Sequence, residues 1–353
     1  MITDSSFSKE WIEQLKQQND KAIINPPLAE KMSHALLLVE LLAVNGLDFI
    51  FKGGTSLILL LDKPQRFSID IDIITQASRA EIEAVLENVC KDSRFSAFEL
   101  DEKRSYQEGI PKAHYKLTFS PIFAQPNDNK ILLDILFAEN PYPELQEIAI
   151  AKDWIDTKEP YKKVIIPTIE SITGDKLTAF APNTVGILYG HVPPKSTEII
   201  KQMFDLGQLF DKIVDFEVVA KAFYQNAIKE LEYREALAGK TVDVVIDDIL
   251  ATCFEVIHEK QDELQKGIKA FGSWAIYPFR KEQAFETAGK IAYMAAKIKT
   301  KNHTSLLKFD TNMMKINDFL IEEQSYNYLN KKLKFANNAL FYWYQAIEIL
   351  KNT

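Results

Sequence analysis

The stretch that most constrains this 353-residue chain is Lys52–Ile74, KGGTSLILLLDKPQRFSIDIDII. A short apolar strand, Leu47-Asp48-Phe49-Ile50-Phe51, runs into Gly53-Gly54. Thr55–Leu61 reads as a short helix, and Ser68–Ile74 alternates almost strictly between polar and apolar, which is a strand signal. A strand, a glycine turn, a helix and a second strand in so few residues predict an α/β unit. The two glycines allow close backbone approach. With Thr55 and Ser56 at the start of the helix, they present free N–H groups and small hydroxyls suited to a phosphate chain. The spacing is not that of a Walker loop. Taken alone, Gly-Gly-Thr-Ser is also consistent with an ordinary turn.

Asp70 and Asp72 stand at i and i+2, so a strand places both carboxylates on one face, about 7 Å apart. Such a pair repels unless it shares water, a proton or a divalent cation. One reading is the solvent-facing side of an edge strand. The other face, Ile69, Ile71 and Ile73, is fully apolar. Mg²⁺ prefers one or two carboxylates together with phosphate oxygens, which suits this combination of acids and glycine turn. Asp134 is the single charge in Ile131–Phe137, ILLDILF. A carboxylate there is costly unless it is paired, for example with a lysine, or binds a metal. Beside the D-x-D strand it would complete a three-carboxylate site for two metal ions.

Around this centre the periodicity predicts helices over 8–20, 27–45 and 78–90, with Pro26-Pro27 as a start signal, and strands over 94–100, 113–120 and 131–137, the last after the Gln125–Lys130 loop. From about residue 168 the pattern is helical, over 168–180, 196–212, 216–233, 242–269, 281–300, 315–331 and 333–351. The expected organisation is an α/β (α+β) half, 1–165, and an all-helical half, 166–353. With 46% hydrophobic residues the chain can build a sizeable core. Its net charge of −8 argues against holding nucleic acid by bulk electrostatics. The window 290–334 nevertheless carries nine Lys against four acids, interleaved with Tyr293, Phe309, Phe319, Tyr326 and Tyr328. It reads equally as an RNA-facing surface or a solvated helix face. Cys90 and Cys253 are far apart, as expected of buried thiols in a reducing cytoplasm. No signal peptide or bilayer-spanning run is visible, so a cytoplasmic location without a membrane partner is expected. The five histidines lack metal-ligand spacing, and His34 reads as a core residue. The insertion Ala181–Pro194, with Tyr189 and His191, reads as a surface loop.

The run GGTSL…RFSIDIDI resembles the first motif of the AbiEii/AbiGii toxin family of nucleotidyltransferases, in the polymerase-beta-like superfamily. The resemblance implies a nucleotidyltransferase core with a mixed sheet and flanking helices. It implies that Gly53, Gly54, Thr55 and Ser56 hold nucleotide phosphates, and that Asp70 and Asp72 hold the metals, Mg²⁺ or Mn²⁺. Asp134 would be the third acid and general base. Arg66 and Ser68 also match, Arg66 as a partner of phosphate or a brace for the acids. Gly174–Phe180 is similar to the third motif, with Lys176 as its lysine. Lys201–Leu206 is similar to the fourth, with Asp205 as its acid; Gln202 departs from the acidic residue often found there. Together the motifs cover about residues 47–206. The implied activity is transfer of NMP from an NTP to an acceptor, RNA such as tRNA first, with release of pyrophosphate. The implied role is the toxin of a toxin–antitoxin system, whose nearby-encoded antitoxin need not touch it. Two other classes remain open. A D-x-D glycosyltransferase gives no reason for Gly53-Gly54 or Asp134, and a non-catalytic nucleotide-binding protein gives no reason for the intact acids.

Overall fold

The polar–apolar alternation of the strands resolves into one mixed sheet. The computed structural model describes residues 1–353 except 19–20, 92, 106–109, 124, 126, 312–314 and 352–353, and leaves out the side chain of residue 235. Parts of the expected 8–20 helix, the Gln125–Lys130 loop and the 290–334 window lie outside the described residues. The chain forms two units, the first comprising Met1–Asn140, Leu145–Thr168 and Trp274–Pro278. The second comprises Pro141–Glu144, Ile169–Ser273 and Phe279–Thr353.

The first unit holds the sheet: β1 (Ile50–Lys52), β2 (Ile71–Thr75), β3 (Phe95–Leu100), β4 (Lys112–Phe119), β5 (Lys130–Phe137), β6 (Leu145–Ala149) and β7 (Lys163–Pro167). Their spatial order is β3-β4-β5-β2-β1-β7-β6. β2 runs parallel to β5 and β1 parallel to β7, while the remaining pairs are antiparallel. The helices of this unit are α1 (Lys9–Gln18), α2 (Pro26–Val44), α3 (Gly53–Leu60), α4 (Arg79–Lys91) and the one-turn α5 (Glu102–Ser105). α2 starts where Asn25 accepts from the Leu28 N–H and the two prolines occupy the first turn. It packs on β5 and β7.

Alternation divides the sheet into two faces. Phe51, Ile71, Ile73, Leu133, Ile135, Ala113 and Tyr115 are buried in the core that α2 helps to close. Full burial of each large side chain is worth about 1.5–3 kcal/mol. His34 of α2 belongs to this core: its ring stacks on Phe119 at 4.0 Å and its Nδ1 lies 2.9 Å from the Glu30 carbonyl oxygen. Burial lowers its pKa to about 4. The opposite face is half-buried and carries the polar residues of β4 and β5.

Within the second unit, α6 (Ile169–Ala179) packs on α8 (Phe216–Glu232), α7 (Ser196–Phe210) on α10 (Asp262–Phe271), and α11 (Lys281–Lys299) on both α9 (Val242–His258) and α13 (Asn337–Leu350). A short α12 spans Tyr328–Lys332.

Four expectations are corrected. The 242–269 helix is two, because Glu259 adopts a left-handed φ of 59° and the Gln261 side chain caps α10. The 315–331 helix is not continuous: a 3-10 turn covers Ile316–Phe319 and only the start of α12 falls in the rest of the range, and the Asn330 amide bonds both the N–H and the carbonyl of Ile321. That bonding competes with a helical ladder. β2 begins at Ile71 rather than Ser68, because residues 65–67 pair with 274–276 through the Phe67 N–H and the Gln65 carbonyl. β6 and β7 were not anticipated; each is five residues long and gains its partners from distant chain.

The basic window is neither an open surface nor a solvated face throughout. Lys290 is buried between Asp211 and Glu286, at 3.0 Å from each, and Lys297 is buried against Asn302 and Thr304. Lys299 pairs with Asp247 and Lys332 with Glu259, while Tyr293 and Phe319 lie in the core. Tyr189 of the insertion is half-buried and donates to Glu255. No helix among the described residues is long and apolar enough to cross a membrane.

Candidate active site

Lys52 ends β1 and is immediately followed by α3, whose first residue, Gly53, has φ +75°. A Cβ at Gly53 would fall 2.0 Å from Asp72 Oδ2, so the Asp72 carboxylate lies directly over a backbone that only glycine can supply. A Cβ at Gly54 would meet the Arg66 guanidinium at 2.2 Å. Arg66 is buried and also donates to the Phe67 carbonyl at 2.9 Å. The glycines thus serve the close approach of an acid and an arginine to the turn.

Thr55 and Ser56 are fully buried. The Thr55 hydroxyl donates to the Asp70 carbonyl at 2.5 Å and lies 2.9 Å from the buried Ser68 hydroxyl. Ser56 donates to the Gly53 carbonyl at 2.9 Å. The Thr55 hydroxyl thus holds the turn against the segment carrying the acids, while the Ser56 hydroxyl closes the turn on itself.

Asp72 of β2 and Asp134 of β5 are register partners on adjacent parallel strands. Such strands are about 4.8 Å apart, so both carboxylates rise from one face at one level. Lys52 is the partner of Asp72 on the other side, and His114 of β4 is the partner of Asp134. The row across four strands is therefore Lys52, Asp72, Asp134, His114: two acids flanked by a cation and an imidazole. Asp70 precedes β2 by one residue.

His114 Nδ1 lies 2.6 Å from Asp134 Oδ1, and Arg104 of α5 donates to Oδ2 at 3.1 Å. Among the described residues, His114 Nε2 is buried without a hydrogen-bond partner. The lone charge in ILLDILF is thus paired with an arginine and hydrogen-bonded to a histidine, where a lysine had been one alternative to a metal. Neither residue was legible as a site residue. The only signal was the place of His114 on the polar side of an alternating strand. Among the described residues, no group of three or more His, Cys, Asp or Glu is gathered for a metal ion. In donor chemistry the acids still fit one: hard carboxylate oxygens from neighbouring strands suit Mg²⁺ or Mn²⁺.

Lys176 and Asp205 lie in the second unit, on α6 and α7. Lys176 Nζ is 2.7 Å from Asp205 Oδ2 and 3.1 Å from Gln202 Oε1, with both charged side chains at most 4% exposed. Gln202, the departure from the motif, still supplies an acceptor to the lysine. Gly174 serves packing, since a Cβ there would meet the Phe223 nitrogen of α8 at 2.5 Å.

A mixed sheet flanked by helices, with acids facing each other across parallel strands beside a glycine turn, defines an α/β protein of the nucleotidyltransferase type. Residues 36–274 match the family described as nucleotidyl transferase AbiEii toxin, type IV toxin–antitoxin system, and the chain belongs to that family. Membership implies a nucleotide substrate and an antitoxin partner. No curated protein matches the chain. Among solved structures, a Helicobacter pylori protein described as a candidate nucleotidyltransferase is similar at 17% identity and TM-score 0.43, over 79% of this chain and 97% of its own. JHP933 from Helicobacter pylori is similar at 15% identity and TM-score 0.41, over 84% of this chain and 94% of its own. The family assignment rests on the match over 36–274 and not on these two likenesses.

Proposed function

We propose that the chain transfers an NMP group from an NTP to an acceptor hydroxyl or phosphate, with RNA such as tRNA as the first acceptor, and releases pyrophosphate. The observation that carries this reading is the register of Asp72 with Asp134 beside the Gly53 turn. In the reaction the acceptor oxygen bonds to the α-phosphorus, the bond from that phosphorus to the bridging oxygen breaks, and pyrophosphate leaves. Asp134 takes the acceptor's proton, oriented by His114. Backbone N–H groups at Gly53 and Gly54, at the start of α3, receive phosphate oxygens. Asp70, Asp72 and Asp134 are the residues that would hold Mg²⁺ or Mn²⁺. Such an ion, when bound, supplies charge compensation for the phosphates. Arg66 braces the turn that carries this charge. On the motif resemblance alone, Lys176 reaches the triphosphate as a mobile point charge and Asp205 orients that lysine or the nucleotide.

The test is incubation with each labelled NTP, Mg²⁺ or Mn²⁺ and total tRNA, comparing wild type with Asp70→Ala and Asp72→Ala. Label transfer by the wild type alone is the expected result. No transfer to RNA, protein or small molecule with any of the four NTPs would sink the reading.

A further inference from the structure

On the face of the sheet that carries Asp72 and Asp134, the next row of side chains is apolar. Ile74 of β2 is the register partner of Ile50 of β1, and Ile50 is the partner of Ile165 of β7. Three isoleucines from adjacent strands thus form a floor. An open cleft of about 480 Å³ lies on it, within the size range of small-molecule sites. Its walls include the amides of Gln76, Asn140 and Gln146. Two carboxylates also border it: Asp48, and Glu147, which Lys163 holds at 2.8 Å.

The chemistry of this lining is selective. No lysine or arginine is among the lining residues, so nothing there favours a phosphate or carboxylate. The isoleucine floor favours a flat apolar surface, and a glutamine amide both donates and accepts hydrogen bonds. A neutral planar ring with donors and acceptors on its edge meets both demands. Position agrees: Ile74 is two residues from Asp72, about 7 Å along the strand. A ring resting on the isoleucines would leave an attached sugar and phosphate toward the acids.

We propose that this cleft seats a nucleobase, belonging to the NTP or to the terminal nucleotide of the acceptor. The proposal rests on the nucleotidyl-transfer reading and gives that site its base-recognition element. Gln76 and Gln146 then read the edge of the base, and Ile50, Ile74 and Ile165 support its face.

The experiment uses the full chain with labelled isoleucine δ1 methyl groups, titrated with adenosine, guanosine, cytidine and uridine, and with ribose 5-phosphate as a baseless control. The expected result is movement of the Ile50, Ile74 and Ile165 signals with at least one nucleoside and not with the control. Gln76→Ala and Gln146→Ala each weaken that binding about tenfold, as loss of a hydrogen bond to the base predicts. In the transfer assay, an altered ranking of the four NTPs in these variants assigns the base to the NTP. An altered ranking of acceptors that differ in their last base assigns it to the acceptor. Absence of methyl shifts with all nucleosides overturns the proposal whether or not transfer occurs, as do shifts accompanied by unchanged rankings in both arms. Methyl shifts in a protein without any transfer activity support the cleft as a nucleoside site and sink the transfer reading instead.

Discussion

His114 Nδ1 lies 2.6 Å from Asp134 Oδ1, at the end of the row in which Asp134 faces Asp72 across parallel strands. The imidazole is mostly buried, with 12% of its side chain exposed, so it fixes the orientation of the carboxylate. Groups that orient a reacting or metal-binding side chain typically contribute about 10–100-fold to activity. His114→Ala is therefore expected to lower kcat for nucleotidyl transfer by that factor while leaving KM for the NTP nearly unchanged. Steady-state kinetics check it, with unaltered kcat as the contrary result.

Arg104 holds the other oxygen of Asp134 from a side chain that is 44% exposed. A divalent cation bound at the acids, as proposed, would compete with that guanidinium for the carboxylate. Arg104→Ala should lower the Mg²⁺ concentration for half-maximal transfer several-fold, since one competing charge is gone. A Mg²⁺ titration of wild type and variant measures the difference; an unchanged or raised requirement would count against competition.

Gly53→Ala combines a positive φ with a Cβ placed 2.0 Å from the Asp72 carboxylate. The backbone strain alone costs about 1–3 kcal/mol. Urea unfolding should show a loss of that order. Transfer should fall by more than the lost stability explains, because Asp72 must move. Gly46 also has a positive φ, 78°, with nothing within 4 Å of its Cβ position. Gly46→Ala is the control that should lose stability and keep activity.

Lys176 and Asp205 form a buried pair, and Lys176→Met removes that cation from beside the Asp205 carboxylate. Breaking such a pair costs about 3–5 kcal/mol, whereas replacing both partners by apolar residues is often close to neutral. Lys176→Met/Asp205→Leu should accordingly recover most of the stability lost by the single variant. If the pair also belongs to the reaction, as the motif resemblance implies, transfer stays lost in the double variant. Recovery of both would reduce the pair to a structural tie.

His34 gives the fold a pH dependence. Burial lowers its pKa to about 4, with Arg94 acting in the same direction and Glu30 opposing it. The unfolded chain binds the proton more tightly, so stability is full above the ordinary histidine range and falls as the pH drops from about 6.5 toward 4. The loss approaches about 3 kcal/mol at the lower limit. Thermal unfolding across this range should show a slope in the wild type that flattens in His34→Phe. An equal slope in both would place the titration elsewhere.

Much of the first unit could be read from local pattern. The glycine turn, the start of α2 at Pro26-Pro27 and the alternation of β4 and β5 depend on φ restriction, capping and period-two burial, which act within a few residues. The same holds for Asp72 on the polar side of its strand and for Asp134 as a charge in an apolar strand, whereas Asp70 lies ahead of β2, outside the strand period that was to pair it with Asp72. Less legible was the use of Thr55, whose hydroxyl faces inward because Ser68 and the Asp70 carbonyl are brought beneath it. The expected helix at 315–331 breaks for a related reason, since Asn330 binds the backbone of Ile321, which is held by burial that periodicity does not see.

The acids themselves and the faces they share follow from residue type and strand period, which are local properties of the chain. Their neighbours do not. β2 and β5 are adjacent and parallel only because the chain between them, through α4, β3 and β4, crosses back to that edge. That crossing sets Asp72 against Asp134 and brings His114 and Arg104 to the same carboxylate. Register between distant strands is chosen by the packing of whole sheet faces, in which a shift of one residue would turn every side chain over. The negative charge of the chain therefore says little about this site. Its electrostatics are those of a four-residue row, assembled by packing from two pairs of strands that lie apart in the chain.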